Sequence, residues 1–228
     1  MAYARTVTTW VENPQGGRER GPRGLVRAWV ELLVRPRRFF RNGVAPGDQA
    51  PGLVFAVSVA VVYAATRFTL LPEARPAFFA GEAASVAVGL LVVGLVLAPV
   101  ALHLVAAAEV VVLIAVVRDR AGVSETVQVI AYATAPMALA GVGVPPALGE
   151  LPLLPELVAA WRLLLAAWGV GLLVYGMATV HDTSLGRAAL AVTLPAVVVF
   201  GYLYGGLFAA ETLTGVDIVT ERPTGGGT

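Results

Sequence analysis

A chain of 228 residues that is 57% hydrophobic and only 14% charged, with a mean hydropathy of +0.78, has too little polar surface for a water-soluble globule, in which about 25% of residues are charged. It contains no Cys, which excludes disulfide frameworks, thiolate metal sites and Cys nucleophiles. All sixteen basic residues are Arg, and residues 1–50 carry a net +5 while residues 51–228 carry a net −4.

An Arg-only basic set in a background of Ala, Val and Gly is the composition of a GC-rich prokaryotic genome. A basic N-terminal arm suits nucleic acid or an anionic lipid surface. Beside apolar spans the lipid surface is the partner to expect, and nucleic acid is not. The first long apolar run begins only near Gly52, so no cleavable signal peptide is read at the N-terminus.

Residues 1–23 are polar, rich in Gly, Pro and Arg, and without period, which predicts a mobile arm. Residues 24–50 read as a cytoplasmic segment. Within Leu25–Phe40, Arg27, Glu31, Arg35 and Arg38 recur at three- and four-residue spacing, with Leu25, Val26, Trp29, Leu32 and Leu33 away from that stripe. This predicts an amphipathic helix too short to span, lying in the interface or packed on the cytoplasmic end of a bundle. Pro36-Arg37-Arg38-Phe39-Phe40-Arg41 sets basic and aromatic groups side by side, as the headgroup layer favours. Trp29, Arg35, Arg37, Arg38 and Arg41 are the candidates for contact with lipid or a partner.

Residues 51–210 read as a transmembrane domain with spans at about 51–71, 83–117, 124–142, 157–180 and 188–210. Arg67, near the end of the first, is expected to snorkel outward. The second run is thirty-five residues broken only by Pro99, His103 and Glu109, longer than the roughly 20 residues one crossing needs. As a hairpin at Pro99 each arm would have about 17 residues, the lower limit for a span. As one helix it would be about 52 Å long. Cytoplasmic loops carry the Arg excess, and a single crossing puts residues 1–50, Arg118, Arg120 and Arg187 on one side. Glu150, Glu156 and the tail 211–228 then fall on the other. The expected protein is an all-α polytopic bundle of five spans in the cell membrane, N-terminus cytoplasmic and C-terminus outside.

Glu109 lies about 12 Å inside the cytoplasmic end of the second span, and Tyr132 shares that depth on the third. The two can form an intramembrane polar pair, either a structural clasp between helices or a proton- or ion-handling site. His103 is a lone intramembrane His and reads as an interhelical partner. There is no H-E-x-x-H, no G-x-S-x-G, no P-loop and no dinucleotide fingerprint, so no catalytic residue, metal site or cofactor is expected. Gly201 and Gly205 form a G-x-x-x-G that suits close packing within the bundle.

Pro36–Phe40 before the first span, Ser124-Glu125-Thr126 leading to Tyr132-Ala133-Thr134-Ala135-Pro136, the Pro-rich connection 141–156 and Ser184–Arg187 before the last span together resemble the Yip1 family of five-span membrane proteins. Tyr132 and Pro136 are the most specific part of that likeness. Eukaryotic members act as trafficking and membrane-shaping factors that bind Rab GTPases, through a segment with no counterpart in this chain. The resemblance therefore implies fold and broad class. It points to a non-enzymatic protein that organises membrane, partner proteins or copies of itself. The alternative is a small transporter or channel subunit using Glu109.

Overall fold

The computed structural model describes residues 21–44, 46–117 and 120–218. Most of the predicted arm, Arg118, Asp119 and the end of the acidic tail lie outside the described residues. The helices are α1 (Pro22–Val34), α2 (Pro36–Asn42), α3 (Ala50–Leu70), α4 (Glu82–Val116), α5 (Val123–Ala133), α6 (Leu154–Val180), α7 (Leu185–Ala191), α8 (Thr193–Leu203) and α9 (Gly206–Thr214).

α5 is the axis of the bundle. Every residue from Thr126 to Ala133 is buried, followed by Ala135, Pro136 and Met137. α3, α4 and α6 all pack on it. Proline lacks an N–H and disfavours helical backbone in the residue before it, so α5 stops at Ala133 and the chain tightens into a 3₁₀ turn at Ala135–Leu139. The segment's ends are tied to opposite ends of the bundle. Ser124 Oγ accepts from the Gly47 N–H at 2.9 Å, and the Leu139 carbonyl accepts from Trp161 Nε1 at 3.2 Å. We call these the basic end, with α2 and the start of α5, and the far end.

The run around Pro99 is one 35-residue helix, α4, and not a hairpin. The Pro99 ring would press on the carbonyl four residues earlier. The helix widens into a π turn at Val93–Leu97 just before it, a local change of pitch that relieves that clash without a reversal. The last apolar run is less continuous than predicted. α7 and α8 meet at 56°, α8 takes π geometry over Ala196–Leu203 after Pro195, and Gly205 turns left-handed at φ 75° before α9. Gly205 is thus a helix break, and the G-x-x-x-G is not one continuous face. Among the described residues three helices are long and apolar enough to cross a membrane, α3, α4 and α6, or four if the bent α7–α8 pair counts as one.

The outer surface is apolar, with Leu95 and Leu104 on α4, Leu164 on α6 and Leu190 on α7 all more than half exposed. In water such a surface would mark a binding face or an aggregation hazard, and around a helical bundle it is the surface that meets lipid. α1 and α2 pack into this bundle. In α2, Arg37, Arg38 and Arg41 share one face at helical spacing and are exposed, while Phe39 and Phe40 face the core at 0% and 2% exposure. The Phe pair therefore does not sit in the headgroup layer. Phe40 lies over Gly176 of α6, where a Cβ would come within 2.7 Å of its ring. Burying an aromatic side chain here outweighs the interface.

Phe39→Ala should lower stability in detergent by about 3–5 kcal/mol, as a large core truncation does. Arg37→Ala, on the opposite face of the same helix, should change it by less than about 0.5 kcal/mol. Thermal unfolding of both variants checks this.

Candidate functional site

The Pro136 break is where the N-terminal helices attach. In the 3₁₀ turn that follows the end of α5, the Ala135 carbonyl accepts from Trp29 Nε1 of α1 at 2.7 Å. Ala135 is about 18 Å along its segment from Val123 at 1.5 Å per residue. α1 therefore reaches the middle of the bundle instead of lying across its end. Trp29 points inward, while Val26, Val30 and Val34 on the other side of α1 are 46–69% exposed. One turn before the break the Tyr132 ring is held edge-on by Phe39 of α2 and Phe55 of α3, at centroid distances of 4.8 and 5.4 Å. Tyr132 and Ala135 thus act together at the break, one receiving α2 and the other presenting its carbonyl to α1.

Glu109 is fully buried. It lies in the stripe Leu102, Val105, Ala106, Glu109 and Leu113, on the helix that packs on α5. Neither of its oxygens accepts a hydrogen bond among the described residues, from Tyr132 or from any other group. Two cavities come near this helix, one lined by Leu102 and another by Val110 and Leu113, and neither lining includes Glu109 or His103. His103 faces outward, its Nδ1 2.7 Å from the Pro99 carbonyl. Among the described residues no three His, Asp or Glu are grouped to hold a metal ion.

At the basic end Arg35, Arg37 and Arg41 are exposed, and Arg38 pairs with Glu31 at 3.1 Å. Arg37, Arg38 and Arg41 project from α2, whose other face is locked in the core, and Arg35 stands at the junction of α1 and α2, so their spacing is fixed by packing. Arg67 departs from expectation. Its guanidinium folds inward over the Tyr63 ring, with Cζ 5.8 Å from the centroid, and Nη1 is buried.

His181, which reads in sequence as a residue of a polar turn, is 1% exposed and forms a latch at the basic end. Its Nδ1 accepts from the Ala121 N–H at 3.1 Å. The proton of the neutral ring is therefore on Nε2, facing Thr126 Oγ1 at 3.3 Å, and that hydroxyl donates to the Gly122 carbonyl. Burial pushes the imidazole below its ordinary value of 6.5, while Glu125 nearby raises it and Arg120 lowers it further. Sequence carries no sign of this, because His181 and Thr126 are 55 residues apart.

A folded-state value below the unfolded one means that the latch stabilises the fold fully above pH 6.5, and that this contribution is lost as pH falls below it. Wild-type protein should therefore lose stability relative to His181→Gln between pH 7.5 and 5.5. Parallel melting curves that keep a constant gap would refute it.

No curated protein and no solved structure matches the chain. The family model of the Yip1 domain matches residues 30–207. That span begins beside Trp29, contains Phe39, Tyr132 and Pro136, and ends just past the Gly205 break, so it covers the end of α1 and all of α2 together with the bundle that receives them. This multi-pass helical membrane protein belongs to the Yip1 family.

Proposed function

We propose that the protein is a non-enzymatic organiser of the membrane, with its basic end presented as a rigid cationic surface to anionic headgroups or to the acidic face of a partner membrane protein. The observation that carries this reading is the pairing of exposed Arg35, Arg37 and Arg41 with a buried Phe39 and Phe40 on the same short stretch. Arginines on a flexible arm lose conformational freedom when they bind, and arginines already held by a packed helix lose less of it.

The topology proposed here has five crossings. α3, α4, α6 and the bent α7–α8 pair face lipid, and α5 with its 3₁₀ extension runs between the same ends inside them. With the arginines on the cytoplasmic side, the C-terminus lies outside. The Glu109 transporter reading is less supported, since its carboxyl stands in packed helix seams away from the two cavities near it.

The test of function uses full-length protein in bilayers carrying spin-labelled phosphatidylglycerol or phosphatidylcholine. Wild-type protein should show a preference for the anionic lipid that falls by about 1 kcal/mol per charge when Arg35, Arg37 and Arg41 are changed to Glu. An unchanged preference in the triple variant defeats the cationic-surface reading. A reporter fused after Thr228 and active on one face only should report the C-terminus outside, and a cytoplasmic signal would overturn the five-crossing topology.

A further inference from the structure

The far half of the bundle holds a cavity of about 310 Å³ between α3, α4, α5 and α8, within the size range of small-ligand sites. It runs along α3 from Ala56 to Arg67, about 16 Å at 1.5 Å per residue. Leu97 and Leu203, both in its lining, are 56% and 51% exposed on the lipid-facing surface. The cavity therefore opens sideways between α4 and α8.

Both helices at that opening are π-wound where they line it: Val93 and Leu97 belong to the turn before Pro99, and Val199 and Leu203 to the stretch after Pro195. A π turn puts an extra residue into the helical path and spoils regular side-chain interlock, and such turns gather at functional sites. Here two of them face one space, and the space is left unfilled.

Its wall is almost entirely apolar, with a cation at one end. Arg67 lies over Tyr63, and its buried Nη1 donates to no acceptor among the described residues. Neither nearby acid bonds to that Nη1 among the described residues. Glu82 pairs with Arg75, and Arg75 also donates to the Phe68 and Thr69 carbonyls. Glu73 is exposed, one residue before Ala74 of the lining. Arg162, beyond Tyr63, donates from Nη2 to the Tyr204 and Gly205 carbonyls at the helix break, and its charge repels that of Arg67. Tyr63 takes the same Tyr204 carbonyl at 3.2 Å. A guanidinium with a buried, unbonded Nη1 and a second positive charge beside it calls for an anion.

We propose that this cavity binds one anionic membrane lipid, an acyl chain lying along α3 between the two π turns and the phosphate of its headgroup on Arg67. The length, the side opening and the single cationic end match an amphiphile entering from the bilayer. This site is separate from the cationic surface of the basic end and does not depend on it.

Full-length protein exchanged into detergent with equal phosphatidylglycerol and phosphatidylcholine should retain one phosphatidylglycerol by native mass spectrometry. Arg67→Gln should weaken that retention by about tenfold or more, the loss of a charge-assisted hydrogen bond, and Arg67→Lys should keep most of it. Ala60→Phe, which fills the cavity, should abolish it, with melting temperature recorded to confirm folding. The Arg35, Arg37 and Arg41 triple Glu variant should retain the lipid as wild type does, which separates this site from the basic end. Equal retention of the two lipids, or retention in a folded Arg67→Gln variant at the wild-type level, overturns the proposal.

Discussion

A proline just past the end of the most buried helix sets most of this architecture. Pro136 cannot donate a hydrogen bond to the turn before it, so regular α-helix cannot continue through it. Two features mark the break in the chain. It tightens Ala135–Leu139 into a 3₁₀ turn, and it brings a side-chain donor, Trp29, from 106 residues away. Once α1 is held there, α2 follows two residues later, and Phe39 is placed against Tyr132. The bundle's axis and its N-terminal helices are therefore a single cooperative unit.

The same kind of constraint recurs at Pro99 and Pro195 with a different solution. Neither helix ends at its proline. Each winds into π geometry close by, which keeps the backbone largely bonded while displacing side chains from regular packing. Because both π stretches line one space beside α3 in the far half, their irregularities add up to one cavity. Arg67 turns into that cavity over Tyr63, where an aromatic face and a second cation shape its surroundings. The basic end is built differently. Its cations stand outward on α2, and its one buried titratable latch, His181, is neutral and bonded to backbone and hydroxyl.

Much of this was legible from residue order. The 35-residue run from Ala83 could be read as one helix because the positive charges agree on one side only if it crosses once. The Tyr132–Pro136 spacing could be singled out, and with it the family. The helical spacing of Arg37, Arg38 and Arg41 against Phe39 and Phe40 was also present, and a strict reading of that period places the Phe pair inward. Trp29 as an interface anchor, Arg67 as a snorkelling residue and an unbroken last span were reasonable from local pattern, and packing decided otherwise.

Apolar run length determines, without any coordinates, that this chain is a helical membrane protein, and charge sign sorts the connections between its helices into basic and acidic ones. Those are local quantities, because the cost of a charge or an open backbone group in lipid is incurred wherever it stands. Which helix lies at the axis, which carbonyl receives Trp29, where π turns leave space, and whether a given Arg faces water or a cavity are relations between residues 50 to 140 positions apart. They depend on the shapes that meet, and only the folded chain fixes them.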